Sequence, residues 1–357
     1  MRVLVAMSGG VDSSVAAALL RDEGHEVVGC TLRLWGGESD TGCCSAADVD
    51  DARRVAQVLG VDHHVFDLSD HFEEEVVSPY VAAHAAGSTP NPCVACNRSI
   101  KFGALLARAA RLGFDAVATG HHARVVGGAA GPQLRRGADR DKDQSYVLGF
   151  LSRGQLERVV LPVGELTKPH VRTLALARGL RTARKPDSQD VCFVPRHGRA
   201  AFLTARTRLT TGRVVDRATG AALGAVDAVE LVTVGQRRGI PSGRDGAARV
   251  VVDVDVPAAT VTVDRRDAAR TGRIALDGAT LSWTGAPLRP RARVQVQTSA
   301  HGAPVDAVLH HAGVTAELVL DRPSRPVASG QLAVLYDPDD ADRVVGAATV
   351  ARRAPAA

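Results

Sequence analysis

No run of about eighteen or more apolar residues occurs in this 357-residue chain, so a membrane-spanning helix is not expected. The N-terminus, Met1-Arg2-Val3-Leu4-Val5-Ala6-Met7, runs straight into Ser8-Gly9-Gly10. It lacks the longer apolar core and small-residue cleavage site of a signal peptide, and a cytoplasmic location is expected. Cysteine is scarce, with six residues in the whole chain. In a reducing compartment they do not read as a disulfide framework. They read instead as buried residues, metal ligands or catalytic thiols. No internal repeat of fixed period is visible. The remainder is ordinary: 45 % hydrophobic and 23 % charged residues fit a globular chain. Its length exceeds one ordinary core, so two or three domains are expected.

Charge is unevenly spread. Residues 1–134 carry a balance of −6, residues 135–217 of +10 and residues 218–357 of +1. The middle segment therefore holds the basic excess and is a candidate phosphate-contacting surface. Because arginine is the default basic residue of this chain, ordinary solvated side chains explain part of it.

The first two hundred residues alternate strand-like and helix-like runs. Strands are expected at Val3–Met7, Val27–Leu34, His64–Asp67 and Ala116–Thr119; helices are expected at Asp12–Asp22, Ala46–Leu59 and Ile100–Leu112. This alternation predicts a parallel sheet covered by helices on both faces. Ligands in such sheets sit at the carboxyl ends of the strands. From about Gly212 short Val/Thr-rich runs separated by turn residues predict one or two antiparallel β domains. The runs are Val229–Val234, Arg249–Val254, Thr260–Val263, Ala292–Thr298, Val305–His310, Thr315–Leu320, Leu332–Tyr336 and Val344–Val350. Gly278–Arg289 has few regular signals and reads as a joint, and Arg352–Ala357 as a disordered tail.

The loop after the first strand is Ser8-Gly9-Gly10-Val11-Asp12-Ser13-Ser14. Glycines permit a tight turn and close approach to an anion. Successive N–H groups, the helix N-terminus and the serine hydroxyls supply donors. A lone Gly-Gly pair is usually a simple turn, but here it joins a buried strand to an Ala-rich helix. The loop contains no Gly-Lys-Ser/Thr, so it is not a Walker A loop and has no phosphate-facing lysine of that kind. It resembles the loop of enzymes that split ATP into AMP and pyrophosphate and so turn a carbonyl oxygen into a leaving group. That resemblance places Asp12 near the metal-bound phosphates; capping the helix is its alternative role.

Cys96 lies in Thr89-Pro90-Asn91-Pro92-Cys93-Val94-Ala95-Cys96-Asn97-Arg98-Ser99-Ile100-Lys101. The prolines stiffen the approach, and Asn97 is the expected cap of the helix that follows. A thiol at a helix N-terminus, with Arg98 and Lys101 nearby, has its pKa lowered toward the reactive thiolate. Cys192 follows Lys185-Pro186-Asp187-Ser188-Gln189-Asp190-Val191, and nothing local to it proves reactivity. Three other readings compete. Cys93 and Cys96 with Cys43 and Cys44 could hold zinc, although no second C-x-x-C is present. The C-x-x-C could be a thioredoxin-like dithiol, or all six cysteines could be packing residues.

Taken together, the strings resemble the tRNA-specific 2-thiouridylase family. The matching strings are Ser8–Ser13, Asp51–Ala56, Gly87–Gly103, Ala118–His121, Asp141–Tyr146, Asp187–Phe193, Gly235–Gly239 and Ser329–Gln331, spread over nearly the whole chain. The resemblance implies an α/β parallel-sheet ATP-pyrophosphatase domain of the adenine nucleotide α hydrolase type over 1–205. It further implies a small central β-rich domain over 206–275 and a C-terminal antiparallel β-barrel contacting tRNA over 276–357.

It implies that Cys96 is the nucleophile and that Cys192 carries the persulfide sulfur, with a transient Cys96–Cys192 disulfide. It implies ATP on Ala6, Met7, Ser8, Gly9, Gly10, Val11, Asp12 and Ser13, with the adenosine near Leu32 and Gly120. Mg²⁺ would come with the ATP rather than in a protein cage. It implies tRNA contacts at His121, Lys142, Asp143, Gln144 and Gln331. The implied partners are tRNA and a persulfide donor, either a cysteine desulfurase or a sulfur-relay protein, with no membrane. Three places depart from the family pattern: His122 stands where tyrosine is usual, Ser329 where proline is common, and the small-residue pattern near Pro241–Gly246 is loose. A ligase that adds a nitrogen nucleophile to an adenylated carbonyl, and a non-enzymatic RNA-binding protein, are the alternative functions.

Overall fold

The computed structural model describes residues 1–35, 45–187, 191–194, 198–243 and 245–352. Cys43 and Cys44, and with them the four-cysteine zinc reading, fall outside the described residues.

The first strand, β1 (Arg2–Ala6), is an unbroken apolar run because both of its faces are covered. Val3 and Val5 point into one cluster, shared with the helices Val11–Asp22, Ala46–Leu59 and Lys168–Ala177. Leu4 points the other way, into a cluster with Phe72, Tyr80, Ile100 and Phe193. This period of two splits one strand between two cores. β2 (Glu26–Arg33) and β3 (Asp62–Asp67) add in parallel on one side of β1. β4 (Ala116–Ala118) adds on the other side. A hairpin of β5 (Ala123–Gly128) and β6 (Gly131–Arg136) follows, and then β7 (Val159–Val160) completes the sheet order β3-β2-β1-β4-β7. The chain reverses direction across the sheet between β1 and β4. That leaves a crevice at their carboxyl ends, the place where open α/β sheets bind ligands. Helix Ala46–Leu59 starts and stops as its sequence dictates. Ser45 accepts from the Asp48 N–H at 3.1 Å, and Gly60 closes the helix in the left-handed region at φ 66°.

The second sheet contains β8 (Gly212–Asp216), β9 (Ala222–Val226), β10 (Arg249–Asp255) and β11 (Thr260–Arg265), in the order β10-β11-β8-β9. It is mixed rather than purely antiparallel, because β8 and β11 pair in parallel. Val229–Val234 is not a strand; Val229–Leu231 forms a 3₁₀ turn instead. The turn still buries Val229 and Val232 in the core of that sheet, so the apolar signal reported burial and not backbone type.

The third unit is a closed six-stranded barrel. It contains β12 (Thr271–Trp283), β13 (Ala292–Gln297), β14 (Val305–Ala312), β15 (Thr315–Ser324), β16 (Leu332–Tyr336) and β17 (Val344–Val350). Strand β12 runs through Gly278 to Trp283, where a joint was expected. Its ladder with β17 shifts register between Asp277 and Ser282, and that irregularity hides its alternation.

The barrel docks firmly on the α/β unit. Leu332, Val334, Tyr336 and Ala347 share one core with Leu134, Tyr146, Leu148 and Phe150. The Tyr146 hydroxyl donates to the Leu332 carbonyl at 2.7 Å. Arg135 meets Asp340 through two hydrogen bonds of 2.6 and 2.9 Å.

Candidate active site

The turn after β1 is built by its own side chains. Ser13 Oγ donates to the Gly10 carbonyl at 3.1 Å and accepts from the Ser8 N–H at 3.2 Å. Ser14 Oγ donates to the same carbonyl at 2.8 Å. Gly9 has φ 71°, and a Cβ there would strike the Asp48 backbone. Gly120, just past β4, lies so close to Asp12 and Ser13 that a Cβ would collide with their backbone. The first-turn N–H groups of helix Val11–Asp22 have no intrahelical acceptors, and they open onto the β1/β4 crevice beside these two glycines. Past its last β1 pairing at Cys30, β2 continues with Thr31 and Leu32 paired to β3 alone. That puts an unladdered backbone edge at Leu32, next to the loop. Ala6–Ser13, Leu32 and Gly120, the positions expected to hold ATP, thus lie around the carboxyl ends of β1, β2 and β4.

Asp12 is enclosed by cations. Lys168 Nζ reaches both of its carboxylate oxygens at 2.8 and 2.7 Å, and His122 Nε2 donates to Oδ1 at 3.1 Å. Burial raises the Asp12 carboxyl, but the hydrogen bonds and charges of His122 and Lys168 outweigh it and hold the group below its ordinary value. Lys185 Nζ donates to the Gly9 carbonyl at 3.0 Å, to Asp48 at 2.5 Å and to Asp51 at 2.8 Å. The chain has only four lysines; Lys142 and Lys168 share Asp187, and Lys185 pairs with Asp48 and Asp51 on the other side of the loop. The loop thus lacks a Walker lysine yet borders two ammonium groups delivered from far along the sequence. Sequence reading missed this. Lys168 opens a Thr-Lys-Pro helix start, and nothing local says that it faces Asp12.

The cysteines need one correction. The helical run containing Cys96 starts at Pro92, not after Asn97. Asn91 is its cap and accepts from the Cys93 N–H at 3.0 Å. Asn97 is buried and donates instead to the Val147 carbonyl at 3.3 Å. The Asn91-Pro92 pair was the available signal, since proline favours the first helical position. Cys96 therefore sits one turn into the helix, where a wide-turned π-helical stretch, Cys96–Ala104, begins. The helix dipole acts mainly within the first turn, so it favours exposed Cys93 over buried Cys96. Arg98 lies over the Phe150 ring at 5.1 Å.

Cys192 is half-buried and packs against the same apolar cluster that contains Cys96, Leu32 and Cys30. Its neighbour Phe193 anchors it, edge-on to Phe72 and Tyr80 at centroid distances of 5.6 and 5.5 Å. Cys30 is a different case: burial pushes its thiol up to about 12. Among the described residues, no group of three or more His, Cys, Asp or Glu side chains could hold a metal ion.

The expected tRNA-contacting residues are placed mostly within the protein. His121 is buried, its ring held well below its ordinary pKa by burial, and it pairs with Thr119 Oγ1 at 2.7 Å. Asp143 accepts from Arg136, the Gly137 N–H and Ser145. Gln144 accepts from the His122 N–H at 2.9 Å. Lys142 pairs with Asp187 at 2.9 Å. Gln331 donates to the Thr89 carbonyl. Much of the basic excess of 135–217 is likewise engaged, in pairs such as Arg140–Asp342, Arg178–Asp22 and Arg181–Asp51.

The fold and its loop define the class of protein: a nucleotide-site α/β unit carrying a β-barrel. Residues 1–196 match a family described as tRNA methyl transferase HUP domain, and residues 275–350 one described as aminomethyltransferase beta-barrel domain. Three relatives named tRNA-specific 2-thiouridylase MnmA span the chain end to end. The one from Mycolicibacterium smegmatis is 46 % identical, covering 99 % of this chain and 100 % of the relative. The one from Mycolicibacterium vanbaalenii is 49 % identical, covering 98 % and 99 %. The one from Acidothermus cellulolyticus is 47 % identical, covering 100 % and 99 %. The chain belongs to the tRNA-specific 2-thiouridylase family.

Proposed function

We propose that this chain is a tRNA-uridine 2-sulfurtransferase, acting on the wobble uridine with ATP and a persulfide donor. The observation that carries the reading is one apolar cluster that gathers Cys96 and Cys192 with Ala6 and Leu32, beside the nucleotide loop. Activation chemistry and thiol chemistry thereby share one wall.

The uridine C2 oxygen attacks the α-phosphorus of ATP and pyrophosphate leaves. The adenylated oxygen is now a good leaving group. The outer sulfur of a Cys192 persulfide attacks C2 and AMP departs. Cys96 thiolate then attacks Cys192 Sγ, the sulfur on C2 leaves as the thiocarbonyl, and a Cys96–Cys192 disulfide forms. This is ordinary thiol exchange, and an external dithiol returns two electrons to reset the pair. A target base must be splayed from its stack to reach such a site.

Mg²⁺ would be carried by the phosphates, and Asp12, the one carboxylate of the loop, would be the residue to hold it. When bound, it spreads the phosphates' negative charge. The sulfur donor is a cysteine desulfurase or relay protein, and the compartment is the cytoplasm; no helix among the described residues is long and apolar enough to cross a membrane.

For tRNA, a candidate phosphate-contacting group on the β units is Arg237, Arg266 and Arg325. Arg237 is held below its ordinary pKa chiefly by Arg266, then by burial and by Arg325. Two guanidinium groups close enough to act on the exposed Arg237 make a local positive group suited to a phosphate backbone. His121, Lys142, Asp143, Gln144 and Gln331 then act on tRNA by shaping the pocket mouth as much as by direct contact.

Nucleoside mass spectrometry on tRNA incubated with protein, ATP, Mg²⁺ and a persulfide source tests the proposal. A gain of 2-thiouridine that requires ATP and is lost in Cys96→Ser supports it. Steady AMP formation without any thiolated nucleoside would refute it.

A further inference from the structure

Cys93 and Cys96 lie three residues apart in one helical run, Pro92–Ala95 continued by Cys96–Ala104. Positions with that spacing are neighbours on a helix surface. The run is pinned at its start, where Asn91 accepts from the Cys93 N–H at 3.0 Å. The two thiols differ in their access to solvent. Cys93 is exposed, whereas Cys96 is only 9 % exposed. Cys192 is half-buried against the apolar cluster that contains Cys96. A disulfide between Cys96 and Cys192 would therefore have both sulfurs at or inside that cluster. Thiol exchange depends on access to the attacked sulfur, so an external reductant, a protein dithiol above all, meets that pair poorly. The exposed thiol next to Cys96 is the one such a reductant can reach.

We propose that Cys93 is the resolving thiol that passes reducing equivalents from an external dithiol to the Cys96–Cys192 pair. Cys93 thiolate attacks Cys96 Sγ. The Cys96–Cys192 bond breaks, and Cys192 leaves as a thiolate that takes up the proton Cys93 gave up. The Cys93–Cys96 disulfide now holds the oxidation. An external protein dithiol attacks the exposed Cys93 Sγ and releases Cys96. Its second thiol then displaces Cys93, and the dithiol departs as its own disulfide. Two electrons have passed inward, and all three thiols are restored. The order of the C-x-x-C suits this relay, with the outer sulfur facing the reductant and the inner one facing Cys192. Cys93 acts only after sulfur has been transferred. This inference rests on the Cys96–Cys192 disulfide of the proposed mechanism.

The test compares full-length wild type with Cys93→Ser, each loaded with persulfide and given tRNA, ATP and Mg²⁺. One arm omits reductant, quenches after one turnover with a maleimide and maps the tryptic peptides by mass spectrometry. Cys93 and Cys96 fall in one tryptic peptide ending at Arg98, while a Cys96–Cys192 bond crosslinks two peptides. The wild type is expected to show the Cys93–Cys96 disulfide with Cys192 alkylated. Cys93→Ser is expected to show the Cys96–Cys192 crosslink. The other arm supplies a persulfide donor and thioredoxin held reduced by its reductase, and follows 2-thiouridine through the first turnover and into the steady state. In Cys93→Ser the first-turnover burst is expected to match wild type, and the steady-state rate to fall about tenfold. A Cys93→Ser steady state equal to wild type would overturn the relay and leave the Cys96–Cys192 disulfide standing. A burst reduced in step with the steady state would place Cys93 in sulfur transfer or in the fold, and would also overturn the relay. No Cys96–Cys192 crosslink in turned-over Cys93→Ser would overturn that disulfide and the relay with it.

Discussion

Gln331, on the barrel, donates its side-chain amide to the backbone carbonyl of Thr89, in the Pro-rich segment that leads into Cys93 and Cys96. The contact is reinforced on both sides. The Thr89 N–H donates to the Ser329 carbonyl at 2.9 Å, and the hydroxyls of Ser88 and Ser329 lie 3.0 Å apart. The serine that replaces the family's common proline thus supplies a hydrogen bond that proline could not. The barrel is thus tied to the backbone just ahead of the helical run containing Cys96.

Gln331→Ala leaves the Thr89 carbonyl without its side-chain donor. A stability loss of about 1 kcal/mol is expected, because the backbone bond to Ser329 remains. Thiolation should fall several-fold in kcat while the affinity for ATP stays unchanged. Steady-state kinetics with tRNA, alongside nucleotide titration, separate the two; a parallel loss of ATP affinity would contradict a local effect on the Cys96 segment.

The cysteines should sort by environment. Cys192→Ser is expected to abolish transfer from a persulfide donor yet retain tRNA-dependent AMP formation. Cys96→Ser should block 2-thiouridine release. Cys30→Ala should leave both reactions intact and cost about 1 kcal/mol of packing, because its thiol is buried and pushed up to about 12. Loss of adenylation in Cys192→Ser would break the proposed order of steps.

Acid should destabilise the fold through histidines held neutral by burial. His63 is lowered to about 4, and His84 and His121 are lowered too, in each case chiefly by burial. The unfolded chain takes up these protons near its ordinary pKa of about 6.5, while the folded chain resists. Their contribution is therefore complete above pH 6.5 and is lost as pH falls toward 4. Thermal unfolding from pH 7 to pH 4.5 should show a falling Tm, and His63→Gln should flatten part of that slope. An unchanged slope would mean that His63 does not titrate on unfolding.

Arg237, Arg266 and Arg325 should carry salt-sensitive binding of tRNA. Each substitution by glutamine is expected to weaken affinity and to reduce the log–log salt slope by about 1. Arg135, held by Asp340, should instead affect stability with little change in that slope. Equal slopes in all four variants would place the RNA elsewhere.

The sequence by itself determined what depends on neighbours along the chain. The Ser8–Ser14 turn, the apolar β1, the helices Val11–Asp22 and Ala46–Leu59 and most barrel strands are set by local periodicity and by glycine placement. The family resemblance rested on eight strings spread along the chain, from Ser8–Ser13 to Ser329–Gln331, two of which contain Cys96 and Cys192. Where local signals competed, reading faltered: Asn91 rather than Asn97 caps the Cys96 helix, and Val229–Leu231 buries its valines in a turn. Only the tertiary structure decided which side chains meet. Lys168 binds Asp12 from 156 positions away, and Gln331 reaches Thr89 across 242. The strand order β3-β2-β1-β4-β7 fixes where the crevice opens. Such pairings follow from burial and charge compensation after the layers pack, and no window of neighbouring residues contains them.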